Sequence, residues 1–165
     1  MGESYEFPSV AWVTVGAVGE PGNRVFLLQA NHLGETVTIK VEKLQVSSLV
    51  EYLKGLLERL PRPGHLPEDR DLEPPFEPKW AAGRIGIAVD PATEIIEIEL
   101  EELSEDEEDR GRVLIGVDKE QAAYLTIEGT RLVQSGRPPC PLCGYPLDSR
   151  GHVCPKTNGN SAPII

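Results

Sequence analysis

"ETVTIKVEKLQVSSLVEYLKGLLERL", Glu35 to Leu60, changes its period part-way along. Over Glu35–Val41 the pattern alternates. Val37, Ile39 and Val41 face one way and Thr36, Thr38 and Lys40 the other, as in a half-buried strand. From Glu42 to Leu60 the apolar residues are Val46, Leu49, Val50, Leu53, Leu56, Leu57 and Leu60, spaced by three and four. That spacing makes one stripe along a helix, and Pro61 cannot continue it. A strand that runs straight into an amphipathic helix predicts an α+β fold, with the helix covering one sheet face.

Upstream, "SVAWVTVGAV" (Ser9–Val18) and "RVFLLQA" (Arg24–Ala30) read as strands. The turn between them, "GEPGN", has Pro21 to preset φ and Gly22 free to take a positive φ. "NHLG" (Asn31–Gly34) is a second turn. Downstream, "PRPGHLPEDRDLEPPFEPKW" (Pro61–Trp80) holds six prolines. It reads as a linker or an extended surface crossing, with Phe76 and Trp80 expected to anchor it on the core. His65 within it has no assigned role. Strands then follow at Gly83–Val89, Glu94–Leu103 and Arg112–Val117, with "DPAT" (Asp90–Thr93) as a turn and "SEDEEDRG" (Ser104–Gly111) as a solvated loop. Asp118 caps a helix to about Ser135, and Gly136 suits its C′ position.

A shift of 76 residues lays "VLIGVDKEQAAYLTIEGTRLV" over "VTIKVEKLQVSSLVEYLKGLL", with seven identities. Val37, Ile39 and Val41 meet Val113, Ile115 and Val117, and Leu49 and Leu56 meet Leu125 and Leu132. Any strand and helix would share those apolar positions. Lys43 over Lys119 and Gln45 over Gln121 are not demanded by a core, and they argue for an internal repeat. The expected architecture is two β-β-β-α repeats in a pseudo-two-fold body, 1–136, with repeat one at 8–60, the Pro-rich linker at 61–80 and repeat two at 81–136. A zinc knuckle at 137–159 and a tail at 160–165, expected to be disordered, complete the chain. This layout, though no motif, resembles the paired strand-rich, single-helix repeats of the Pur family of nucleic-acid-binding proteins.

The formal charge of −11 is concentrated in one segment. "EIIEIELEELSEDEED" (Glu94–Asp109) has ten acids and no base, leaving 17 acids against 16 bases elsewhere. Such a block repels nucleic acid and anionic lipid from its own face, or serves only as a solvated strand edge and loop. Its carboxylates are expected to be solvated, with ordinary pKa values. No run of about 18 apolar residues is present, and "MGESYEFPSV" has neither the basic nor the apolar region of a secretion signal. Glu6 stands where the myristoylation pattern needs Ser or Thr. A reducing cytoplasmic setting, away from membranes, is the expectation.

All three cysteines lie in "PPCPLCGYPLDSRGHVCPKTNG" (Pro138–Gly159). Cys140 and Cys143, two residues apart and followed by Gly144, can reach one metal from a tight turn. Cys154 and His152 complete a Cys₃His set suited to one tetrahedral, structural Zn²⁺. His152 is the softer ligand, because residues one apart chelate less comfortably than a CxxC pair. A redox CxxC would need a helix opening at the motif, which Pro138, Pro139, Pro141 and Pro146 oppose. An odd cysteine count in a reducing setting does not suit a disulfide framework.

No G-x-S-x-G, Walker A or H-E-x-x-H motif is present. His32, His65 and His152 are the only histidines, so no catalytic residues and no cofactor-binding residues are assigned. The expected function is a zinc-binding, non-catalytic binding or adaptor module with protein partners, monomeric or homodimeric. The alternative is a nucleic-acid binder using the knuckle and the basic residues Arg131, Arg137, Arg150 and Lys156. A further alternative is an enzyme using buried carboxylates or the metal.

"VGAVGEPGNRVFLLQA", "EKLQVSSLVEYL" and "GRPPCPLCGYPLDSRGHVCPKTNG" resemble the bacterial domain of unknown function 3090 family, found mainly in actinobacteria. The likeness spans almost the full chain, and the C-terminal motif is its most specific part. It supports the cluster of Cys140, Cys143, His152 and Cys154. The family's gene neighbourhoods, near histidine-phosphatase-like and phosphoinositide-kinase-like proteins, imply a shared pathway. They imply no activity.

Overall fold

The switch from period two to period 3.6 at Glu42 marks the first junction of strand and helix. The computed structural model describes residues 2–20 and 22–135. In chain order these form β1 (Tyr5–Phe7), β2 (Trp12–Val18), β3 (Val25–His32), β4 (Glu35–Val41), α1 (Lys43–Arg59), β5 (Ala82–Val89), β6 (Ile96–Glu102), β7 (Arg112–Val117) and α2 (Lys119–Ser135). The fold is α+β, with two sheets and two helices. One sheet is the antiparallel meander β2-β3-β4. The other is ordered β1-β7-β6-β5, antiparallel except for β1, which lies parallel to β7.

Alternation puts one face of each sheet into a common core. Leu28, Ala30, Val37 and Ile39 come from the first sheet, and Ile96, Ile98, Leu100, Val113 and Ile115 from the second. The helix stripes add Val46, Leu49, Val50, Leu53 and Leu125. At ~25 cal/mol per Å² of apolar surface removed from water, this burial is the main stabilising term. The helices cross closely at Gly129, where an added Cβ would lie 2.5 Å from Cγ2 of Val50.

Both helices start on the same device. The Asp118 N–H donates to Gln121 Oε1 at 3.0 Å, and the Gln121 N–H donates to Asp118 Oδ1 at 2.7 Å. This reciprocal capping box satisfies N–H groups that the helix leaves unpaired. In α1 the Glu42 N–H donates to Gln45 Oε1 at 2.7 Å. Each glutamine then uses its other end. Gln45 Nε2 donates to Ala82 O, and Gln121 Nε2 to Val10 O, both at 2.9 Å. Each helix start is thereby tied to the other half, α1 to the first residue of β5 and α2 to the stretch leading into β2.

The strand edges are exchanged in the same sense. Val10 N–H donates to Gly116 O, and Lys40 N–H to Trp80 O, both at 3.0 Å. Ala81 bridges Lys40 in parallel, as β1 runs parallel to β7. The stretch leading into β2 therefore edges β7, and the stretch leading into β5 edges β4.

Several boundaries differ from the sequence expectations. β1 was not foreseen; three residues carry no readable period, and its partner is more than 100 residues away. The strand expected from Ser9 begins at Trp12, and the one expected to close at Ala30 runs on to His32. The strand expected from Glu94 begins at Ile96, because Glu94 takes a φ of 61° and closes the turn by donating to Asp90 O. In the β3–β4 hairpin Leu33 and Gly34 both have positive φ, which gives the tight two-residue turn that matches strand twist and leaves Leu33 in solvent. Trp80 anchors the linker as expected, buried with its indole N–H on Glu3 O at 2.9 Å. Phe76 does not; its ring is 42% exposed.

Candidate functional site

The expected metal ligands Cys140, Cys143, His152 and Cys154 lie outside the described residues, as do the knuckle 137–159 and the tail 160–165. Among the described residues no group of three or more His, Cys, Asp or Glu is placed to hold a metal. Of the other two histidines, the His32 ring Nδ1 lies 2.7 Å from Ser9 O. No helix of the described residues is long and apolar enough to cross a membrane.

The outer faces of the two sheets, which point away from the core, are used differently. On the first sheet Thr14, Gln29 and Thr38 form one row across β2, β3 and β4. All three are buried although they face away from the core, because the linker runs over them. Its path starts beside α2, where the Gly64 N–H donates to Glu120 Oε1 at 3.0 Å and holds that carboxyl below its ordinary pKa. The Arg70 N–H donates to Tyr124 Oη at 2.9 Å, Thr14 Oγ1 donates to Arg70 O at 2.9 Å, and the Arg70 guanidinium stacks 4.5 Å over Trp12. Leu72 fills the space left by Gly16, where a Cβ would meet it at 2.8 Å. Gln29 then grips the backbone of one residue through both its polar groups. Its Nε2 donates to Glu73 O, and the Glu73 N–H donates to its Oε1, both at 2.8 Å. The same Nε2 also donates to Thr38 Oγ1 at 3.1 Å.

On the second sheet the matching row is Gly86, Glu99 and Leu114. Among the described residues no segment runs over it, and a hollow of about 250 Å³ lies there between Arg84, Ala88, Glu97 and Glu101. Beside it a groove of about 500 Å³ separates α1 from the edge strand β5, lined by Leu44, Ser48, Tyr52, Gly83 and Ile85 among others. Leu44 is 80% exposed and Tyr52 56% exposed. Gly86 belongs to both hollows, so they form one continuous track.

The acidic face is not simply solvated. Arg112 reaches Glu99 at 3.3 Å and Glu101 at 3.1 Å, and Arg110 reaches Glu101 at 3.5 Å. Burial by itself would raise the Glu101 carboxyl. The Arg112 hydrogen bond and charge, the Arg84 charge and the Arg110 hydrogen bond outweigh it and hold the carboxyl below the ordinary glutamate value. The expected ordinary pKa thus fails at Glu101, since arginines outside the acidic block converge on it. Glu99 and Glu101 are thus engaged by arginines, with Glu97 beside them in the same hollow.

The sequence reading missed Gln29, Thr14 and Thr38, and with them the track. The available signal was a fully polar outer row on a sheet whose inner positions are Val, Leu, Ile and Ala.

A family model described as "Protein of unknown function (DUF3090)" matches residues 5–154. No curated protein and no solved structure matches the chain.

Proposed function

The chain belongs to the family described as proteins of unknown function, DUF3090, and from that premise, which brings no activity with it, we propose a zinc-binding, non-catalytic binding or adaptor module. The single observation that carries the binding role is the contrast between the two outer faces. One is filled by an extended, proline-rich stretch of chain held through backbone hydrogen bonds from Gln29. The other presents an open track with exposed Leu44 and Tyr52, the row Gly86, Glu99 and Leu114, and the edge strand β5, which among the described residues has no strand paired on its outer side. An extended polypeptide is the ligand chemistry that such an edge and groove accept.

The body is, in this reading, a pseudo-two-fold pair of β-β-β-α units. Its support is the reciprocity of the bonds. Gln45 and Gln121 stand 76 positions apart and make the same bond to the other half; Lys40 and Gly116, also 76 apart, both bond to the other half through their backbone, Lys40 as donor to Trp80 O and Gly116 as acceptor from Val10 N–H. The zinc site uses Cys140, Cys143, Cys154 and His152. Its support is the spacing of those residues in the sequence, and its role is to fold the segment after α2. The working setting is a reducing, cytoplasmic one.

Elemental analysis of purified protein should find about one Zn²⁺ per chain. Titration with single- and double-stranded DNA and RNA should give no tight complex. A tight, steeply salt-dependent gel shift would replace the adaptor reading with nucleic-acid binding. Turnover requiring an open metal position would replace it with an enzyme.

A further inference from the structure

β2 and β5 each stand at an edge of their sheet, in different company. α2 lies against β2, with Thr14 Oγ1 3.3 Å from Tyr124 Oη. The position 76 before Tyr124 is Ser48, whose short side chain lines the groove that separates α1 from β5. The consequence runs along β5. Ile85, Ile87 and Val89 pair with Leu100, Ile98 and Ile96, which are fully buried, yet they are only half-buried themselves. Every second residue of such an edge turns its N–H and C=O outward. β5 has no proline, and its one irregular step lies at its start, between Ala82 and Arg84. On the outer face Arg84, Gly86 and Ala88 stand beside Glu101, Glu99 and Glu97 of β6. Arg110 and Arg112 engage Glu101, and Arg112 engages Glu99. Glu97, exposed between Ala88 and Gly116, makes no ion pair among the described residues, and neither does Arg84. An unpaired cation and an unpaired carboxylate thus flank Gly86 on one face.

We propose that two copies of the chain pair antiparallel through β5, over Arg84–Ala88 and about a two-fold axis at Gly86, so that their sheets join edge to edge. The inference rests on the reading of this face as an acceptor of extended polypeptide, and it names the occupant as the β5 of a second copy. Opposed residues of an antiparallel pair face the same side, so the axis has to fall on a residue. At Gly86 it sets Ile85 against Ile87 of the partner subunit, twice over, and covers the half-buried row. It also sets Arg84 against Ala88 of the partner subunit, with Glu97 of the partner subunit one strand further on. Two strand spacings are about 10 Å, which an arginine and a glutamate leaning over an alanine methyl can span. The symmetry makes that ion pair twice, so the surface is complementary to itself. One residue earlier, the axis would set Ile87 against the irregular step at Gly83; one residue later, Arg84 would face Asp90, past the end of the strand. The contact is small, so the dimer belongs to the weak, concentration-dependent class.

The test is sedimentation equilibrium of the full chain, purified in the presence of zinc, over a range of concentrations. The natural protein should dimerise reversibly. Arg84→Glu sets a like charge against Glu97 of the partner subunit, and Glu97→Arg sets one against Arg84 of the partner subunit. Each should raise the dissociation constant about tenfold or more, since two ion pairs turn from attraction to repulsion. Mixing the two singly substituted chains should restore the dimer. A mixed pair brings the introduced glutamate to the introduced arginine and the natural Arg84 to the natural Glu97. A fold defect would not be repaired by mixing. Should Arg84→Glu lower the melting temperature through its neighbour Glu101, Glu97→Arg, at an exposed position, still has to weaken the dimer. A natural chain that is monomeric at every concentration, a dimer indifferent to both substitutions, or a mixture of folded chains no tighter than either alone would overturn the proposal. Zinc content and nucleic-acid titration on the same samples separate this failure from that of the functional reading. A zinc-loaded monomer that leaves nucleic acid unbound loses the self-pairing alone, while a chain that lacks zinc or shifts nucleic acid loses the functional reading.

Discussion

Gln29→Ala isolates what holds the linker in place. The side chain is fully buried and makes three hydrogen bonds, two to the backbone N–H and C=O of Glu73 and one to Thr38. Only one orientation of the amide serves both Glu73 bonds, since one needs its oxygen and the other its nitrogen. At about 0.5–1.5 kcal/mol per net bond, deletion should cost ~3 kcal/mol. That is a large share of the ~5–15 kcal/mol typical of a domain. Urea denaturation read by tryptophan fluorescence measures the loss as a lowered midpoint at near-constant slope. The local effect should be larger than the global one. Arg70 is held through its backbone and over Trp12, so tryptic cleavage there should speed up well beyond what global destabilisation explains. Gln29→Glu keeps the acceptor for the Glu73 N–H but sets a carboxylate against the Glu73 carbonyl, and should be at least as damaging. A loss below ~1 kcal/mol with unchanged cleavage at Arg70 would refute the clamp.

Gly129→Val should destabilise by ~1–3 kcal/mol through overpacking on Val50; Gly55→Ala in α1, where an added Cβ meets nothing within 4 Å, should instead stabilise by about 0.5–1 kcal/mol, and paired melts check the contrast. Because the Glu101 carboxyl is held low in the fold, its contribution should be complete above the unfolded glutamate value of ~4.3 and lost as pH falls through the folded value. The stability gap between the natural protein and Glu101→Gln should therefore close on acidification, which urea midpoints across pH will show. Cys140→Ser or Cys143→Ser should remove the metal and leave the melting of the body unchanged, and His152→Ala should weaken binding less; elemental analysis and calorimetry of these variants decide it.

The elements legible in the sequence were those with enough length to show a period. β4 and α1 stand out because seven alternating residues run directly into a seven-member helical stripe. Asp118 was readable as a cap because its side chain does local chemistry. The glutamines were readable as unexplained: Gln45 and Gln121 matched at positions no core requires. Their role needed the other half of the chain in place, since each joins a local box to a strand far away. The linker's anchors were misjudged for a related reason. Hydrophobicity favoured Phe76, but Gln29 fixes the linker at Glu73 and Gly16 opens a seat for Leu72, which leaves Phe76 outside. Glu101 shows the same limit, as its arginines come from the neighbouring strands and the loop between β6 and β7. The cysteine cluster remains a reading of spacing.

The parallel pairing of β1 with β7 sets an order on biosynthesis. Tyr5 and Phe7 find their partners at Val113 and Ile115, so β1 waits for more than 100 further residues to be translated. At roughly 5–20 residues per second that interval is on the order of 10 s. Meanwhile Phe7, destined for the core, is presented to solvent, and the first meander has no second sheet against its inner face. A nascent chain with such exposure is a substrate for chaperones that read short apolar stretches. Codon choice between β4 and β7, which lengthens or shortens the wait, should therefore alter the yield of folded protein without changing a single amino acid.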